Sequence, residues 1–198
     1  MIAIVKYNAG NVRSVQNALN RMGYESIVTD KESLLRDAQK VIMPGVGEAA
    51  SAMKYLRDRG LDTVIKSLRQ PFLGICLGLQ IMCRSTEEGN TPCLGIFEAR
   101  VKRFPPKERI PHMGWNDFAS VSGPLFEGID IKDNVYYVHS FYAQTCLQTS
   151  AVCRYVYPFS AAMQKDNFFA TQFHPEKSGQ YGTLLLRSFI EEDWMGRY

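Results

Sequence analysis

Apolar positions along this chain recur with two periods that alternate. Residues 2–5 form a short apolar run, and Val12, Val15, Leu19 and Met22 then fall on one face of a helix that Gly23 stops. Residues 25–29 read as a second strand, 31–38 as a short helix, and 40–43 as a third strand running out into Pro44-Gly45-Val46-Gly47. A helix over 48–59 turns Met53 and Leu56 inward and stops at Gly60. A further helix carries Leu61, Val64, Ile65 and Leu68 and leads into the apolar run Phe72, Leu73, Ile75. Strands alternating with helices predict a parallel sheet covered on both faces.

Past residue 84 the pattern changes. Residues 95–104 alternate as a strand, and 134–143, 151–157 and 168–173 are runs rich in Tyr, Val and Phe that extend the sheet in an antiparallel sense. Residues 181–194 close the chain as an amphipathic helix with Leu185, Leu186, Phe189 and Ile190 clustered at helical spacing. No internal repeat, low-complexity tract or linker interrupts this order. The expected class is α/β: a single domain over residues 1–198, with a mostly parallel central sheet flanked by helices and added antiparallel strands.

Bulk properties narrow the function. The chain has 198 residues, 45% hydrophobic and 22% charged, which suits one soluble domain with a sizeable core. A net charge of +3 with no basic stripe gives no reason to expect nucleic acid. No apolar stretch approaches the roughly 20 residues of a membrane span, and the opening M-I-A-I-V-K is too short and too soon polar for a signal peptide. A cytoplasmic protein is expected. The five cysteines lack C-x-x-C spacing, and no metal or organic cofactor is indicated.

One cysteine stands apart. In Q-P-F-L-G-I-C-L-G-L-Q an apolar strand runs into a helix with Cys76 at the junction and Gly74 and Gly78 two residues to either side. That spacing is a nucleophile elbow built for sulfur, because a strained strand-to-helix turn leaves no room for flanking side chains. A helix N-terminus favours thiolate, the attacking form. Of three histidines, His174 sits in F-H-P-E at the tip of a strand, and Glu176 two residues on is placed to hold its other ring nitrogen. Cys76, His174 and Glu176 thus have the roles of nucleophile, base and orienter. The P-G-V-G segment supplies peptide N–H groups of Gly45, Val46 and Gly47 which, with that of Leu77, would form an oxyanion hole. The reaction class is acyl transfer by a cysteine hydrolase, and spacing alone does not name its substrate.

G-I-C-L-G-L-Q, H-P-E and P-G-V-G in one chain resemble the triad-type, class I glutamine amidotransferases, which release ammonia from glutamine. Y-N-A-G-N-V-R-S-V, P-H-M-G-W-N and Y-V-H-S-F-Y look like the branch of that family that forms the glutaminase subunits of bacterial imidazole glycerol phosphate synthases. The resemblance implies the family's fold and a heterodimer with a (β/α)8-barrel cyclase subunit, which consumes the ammonia to make imidazole glycerol phosphate and an aminoimidazole carboxamide ribotide in histidine biosynthesis. It implies that Gly47, Gln80, Ser140 and Phe141 hold glutamine, and that the P-G-V-G loop rearranges before its N–H groups face the oxyanion. It also makes His112, Met113, Trp115 and Asn116 an exposed part of the subunit boundary. Lys6 and Asn8 depart from the family's usual acidic or amide residue and glycine. Two alternatives stay open: a glutaminase serving anthranilate, carbamoyl phosphate or pyridoxal phosphate synthesis, and a non-catalytic binding module of the same fold.

Overall fold

The computed structural model describes residues 1–8 and 10–194; Ala9 of the opening loop lies outside them. In chain order the elements are β1 (Ile2–Val5), α1 (Val12–Arg21), β2 (Ser26–Thr29), α2 (Glu32–Asp37), β3 (Lys40–Gly45), α3 (Ala49–Asp58), α4 (Leu61–Ser67), β4 (Phe72–Cys76) and α5 (Leu77–Met82). There follow β5 (Ser85–Thr86), β6 (Thr91–Pro92), β7 (Arg100–Arg103), β8 (His112–Asn116), β9 (Ser120–Val121), β10 (Val135–His139), β11 (Phe141–Ala143), β12 (Thr149–Arg154), β13 (Pro158–Lys165), β14 (Phe168–Thr171) and α6 (Gly179–Glu191).

Eight strands form the central sheet in the order β2-β1-β3-β4-β14-β13-β12-β9. The five from β2 to β14 run parallel, and β13, β12 and β9 continue antiparallel. Successive residues of the parallel strands face opposite layers. Ala3, Val5, Val41, Met43 and Phe72 pack with α2, α3 and α4, while Ile2, Ile4, Ile42, Leu73 and Ile75 pack with α1 and α6. Helices shorter than about 12 residues are marginal in water. Among the described residues only α6, with 13 residues, exceeds that, so the others are held by burial of their apolar faces, each large side chain contributing about 2 kcal/mol.

Two small sheets carry the rest: β10 with β8, and β11-β7-β5-β6. The strand expected over 134–143 is therefore two, broken at Ser140, with halves in different sheets. Where 95–104 reads as one strand, only β7 is one. Leu94, Gly95, Ile96 and Phe97 instead donate backbone N–H groups to the carbonyls of Ile81, Cys83 and Met82 at 2.8–3.0 Å, capping the orphan carbonyls at the end of α5. Buried Leu94, Ile96 and Phe97 make the alternation there. Strand β13 was invisible to periodicity because Phe159–Met163 are buried whichever way they point. The final helix begins and ends earlier than expected; Trp194 lies beyond it and folds back, donating Nε1–H to the Phe189 carbonyl at 2.9 Å. Among the described residues no helix is long and apolar enough to cross a membrane.

Candidate active site

Strands β3, β4 and β14 are neighbours, so their carboxyl ends bring the P-G-V-G segment, Cys76 and the approach to His174 to one edge of the sheet. This is where ligands of open α/β sheets bind. Cys76 caps α5 with φ 55° and ψ −105°, a sparsely populated backbone region that costs about 1–3 kcal/mol and persists only where surroundings enforce it. The enforcement is visible at the flanking glycines. A Cβ on Gly78 would lie 2.1 Å from the Met43 carbonyl oxygen, and one on Gly74 would lie 2.9 Å from the backbone of Gly78 and 2.5 Å from Met82 Sδ. The turn can close only without side chains at those two positions.

His174 follows β14 and opens a short 3-10 turn, Pro175–Lys177. Its backbone is pinned: N–H donates to the Tyr136 carbonyl at 2.9 Å, and its own carbonyl accepts the Ser178 hydroxyl at 2.6 Å. Nδ1–H donates to Glu176 Oε1 at 2.8 Å, with both side chains fully buried. Nε2, buried and without a hydrogen-bond partner, is therefore the nitrogen left for the Cys76 thiol. Burial by itself would lower the imidazole's pKa. The neighbouring Cys76 and the hydrogen-bonded Glu176 carboxylate override it and raise the pKa to about 10. Protonated His174 is thus the favoured state.

A cavity of about 290 Å³ opens next to the sulfur, lined by Val46, Gly47, Cys76, Leu77, Gln80, Glu88, Pro111, Val138, His139, Ser140 and Phe141. Expected residues 46, 47, 77, 80, 140 and 141 all meet there. Gly45 is not among the residues that line it. It is the last residue of β3, in register with Cys76, and a Cβ there would lie 2.2 Å from the Tyr7 hydroxyl and 3.0 Å from Leu77. It is a glycine because Tyr7 packs over it. Gly47 has φ +124° with open space around it, so its need is conformational. The Val46 carbonyl accepts the Gly10 N–H at 3.1 Å, which fixes that peptide unit in this conformation.

The expected boundary residues separate by strand alternation. Met113 and Trp115 project outward, 55% and 57% exposed. His112 is buried, correcting its placement at an exposed boundary, and Asn116 is half-buried with its amide turned toward the His112 ring.

Three neighbours of the site carried no sequence signal. Glu88 sits in a polar loop, and its Oε2 accepts the Ala49 N–H at the start of α3 at 2.7 Å. Burial raises its pKa, against the pull of that hydrogen bond. It gives the cavity its one acidic side chain. Asn11, left-handed at φ 74° before α1, donates its side-chain N–H to Glu176 Oε1. Gln172 donates to Cys76 Sγ at 3.7 Å and accepts from Gln80 at 3.1 Å. Asn11 lies 165 positions from Glu176, beyond any local pattern. Among the described residues no cluster of His, Cys, Asp and Glu has metal-holding geometry.

A strained cysteine, an imidazole on a buried carboxylate and an adjoining pocket are the parts of a thiol acyl-transfer centre. Residues 3–192 match the family described as glutamine amidotransferase class-I. The chain belongs to that family. It is 54% identical over 193 residues to the imidazole glycerol phosphate synthase subunit HisH of Bacteroides thetaiotaomicron, covering 96% of this chain and 98% of the relative. It is 53% identical to the protein of the same name in Bacteroides fragilis, with the same coverage. A crystal structure of a glutamine amidotransferase superposes with TM-score 0.72 at 21% identity, covering 96% of this chain and 97% of the other. At that identity the superposition speaks for the fold.

Proposed function

We propose that this amidotransferase chain acts as one catalytic domain that hydrolyses glutamine to glutamate and ammonia, as the glutaminase subunit of a cytoplasmic imidazole glycerol phosphate synthase. The observation that carries the reading is Cys76 at the wall of a cavity of about 290 Å³ with His174, paired to the buried Glu176 carboxylate, beside it from nearly 100 residues further along the chain. The substrate's carboxamide enters beside the sulfur. The thiolate attacks its carbonyl carbon, and the oxyanion is met by N–H groups of Leu77 and the Val46–Gly47 segment, worth about 3 kcal/mol per donor.

His174 gives its proton to the departing nitrogen, and ammonia leaves a thioester on Cys76. Water then attacks that thioester with His174 as base, releasing glutamate and restoring the thiolate. Glu88 takes the ammonium end of the substrate by charge complementarity, and Ser140 and Phe141 take its carboxylate end.

Histidine biosynthesis, rather than another amidotransferase pathway, is favoured by the high identity to HisH proteins over nearly full length. The partner in this reading is a (β/α)8-barrel cyclase subunit docked where Met113 and Trp115 are exposed, aromatic residues and methionine being enriched at interfaces. The experiment is a glutamine-to-glutamate assay on the chain alone, and with a barrel cyclase and its ribonucleotide substrate. Strong stimulation is expected from the full mixture. Equal and vigorous hydrolysis without the partner would contradict the coupled reading, and no hydrolysis under either condition would contradict glutaminase chemistry.

A further inference from the structure

Beyond the triad, two more histidines lie buried, His139 in the cavity wall and His112 next to it. His112 Nδ1 is 3.0 Å from His139 Nε2, His139 Nδ1 is 2.7 Å from the Phe141 carbonyl, and His112 Nε2 is 3.3 Å from Asn116 Nδ2. The protons in this chain can be assigned from both ends. At one end a carbonyl can only accept, so His139 Nδ1 carries a proton and, in the neutral ring, Nε2 is a bare acceptor. At the other, Asn116 is fixed in orientation, because Nδ2 donates to the Arg154 carbonyl at 3.0 Å and Oδ1 accepts the Asp117 N–H at 3.0 Å. Its second N–H therefore points at His112 Nε2, which must accept, leaving Nδ1 as the donor to His139. Both ends give the same direction, and no nitrogen is left over.

The surroundings favour that state. Tyr137 and Tyr155 stack on the two sides of His112 with ring centroids 4.9 and 4.1 Å away, and Phe104 and Phe159 pack on His139 at 5.4 and 5.1 Å. Burial accordingly lowers the His112 pKa to about 4 and the His139 pKa to about 3.

The chain ends on a carbonyl that matters to the cavity. Phe141 accepts a second bond, from Gln80 Nε2 at 3.0 Å, and the same amide nitrogen donates to Gln172 Oε1 at 3.1 Å. Both protons of Gln80 are spent within the wall, leaving Oε1 as the remaining polar atom of a side chain that lines the cavity. We propose that His112 and His139 form a proton-ordered strut that fixes the Phe141 carbonyl and, through it, the orientation of the Gln80 amide, and that this sets how tightly the cavity holds glutamine. His112 and His139 are positioning residues in this assignment, and its second half rests on the glutaminase reading.

Two substitutions divide the donor from the acceptor. His139→Asn overlays its amide nitrogen on imidazole Nδ1 and keeps the bond to Phe141. His139→Gln reaches the Nε2 position and loses that bond. In a Cys76→Ala background, where glutamine binds without turnover, calorimetry should show the dissociation constant rising about five- to tenfold for His139→Gln, and within about twofold of the parent for His139→Asn. Equal loss in both, or loss in neither, overturns the proposal.

Nitrogen-detected NMR of the unsubstituted protein decides the strut itself, even where a variant fails to fold. Nδ1–H tautomers at both His112 and His139 are required, and an Nε2–H tautomer or a charged ring at neutral pH at either overturns it. If the Cys76→Ala parent binds no glutamine, the glutaminase reading falls and takes the second half with it, while the tautomers still judge the first.

Discussion

The molecule holds two buried histidine sites with opposite chemistry. At the triad, His174 is pushed up to about 10; at the cavity wall, His139 is pulled down to about 3 and its neighbour His112 to about 4. All three are buried, so burial does not decide the matter. Partners do. His174 faces a carboxylate and a thiol, which reward a positive ring, whereas the other two face a carbonyl, an amide N–H and one another, which have no place for an added proton. In the proposed reading, one site moves protons and the other holds them in place.

Removing the reacting atom breaks the comparison most severely. Cys76→Ala should lower ammonia release from glutamine by at least about 10³-fold, while the complex with its synthase partner still uses added ammonium. Loss of both activities would contradict the division of labour. Next in size, Glu176→Gln keeps the shape of the orienter and removes its charge. Glutamine turnover should fall about 10²-fold or more, and the His174 titration, followed by NMR, should move down. An unmoved titration would mean that Cys76 alone holds the proton on His174.

A third change tests the scaffold under the triad. Gly78→Ala drives a methyl group into the Met43 carbonyl and should cost about 3 kcal/mol in a denaturant titration. A near-neutral result would show that the elbow can relax.

The smallest effect is in pH dependence, and its two limbs have opposite sign. His174, raised from 6.5 to about 10, contributes stability that is full below pH 6.5 and is lost as pH climbs through about 10. His112 and His139, lowered from 6.5 to about 4 and about 3, contribute stability that is full above pH 6.5 and is lost as pH falls toward those values. In the acid window the unfolded chain binds more protons, so stability rises with pH. Removing the His112–His139 pair should flatten the acid limb and leave the alkaline one; an unchanged acid limb would show that the pair takes up no protons on unfolding.

What could be read from the chain beforehand follows the same division. The elbow was legible because its requirement is local: the glycines on either side of Cys76 answer to sterics within a few residues, and H-P-E places a base and its orienter side by side. The parallel half of the sheet was legible because strands and helices alternate with distinct periods. The strut, Asn11 and Glu88 were not, because each acquires its meaning from a residue far away in sequence. His112 illustrates the reason. In P-H-M-G-W-N all side chains look equally available, and only pairing with β10 decides that Met113 and Trp115 face outward while His112 turns in. Gly45 shows the converse, a glycine whose smallness serves a residue far back in the chain, Tyr7.

The position of β14 in the sheet has a consequence for how the protein is made. The strand is synthesised after every other strand, yet it lies between β4 and β13, and His174 and Glu176 follow it. A growing chain on the ribosome thus carries its sulfur from an early stage without base or orienter, and the sheet stays in two unjoined parts until Phe168–Thr171 threads between them. On the proposed glutaminase reading, competence arrives with the closing segment, and a truncated or stalled translation product is expected to be chemically quiet at Cys76.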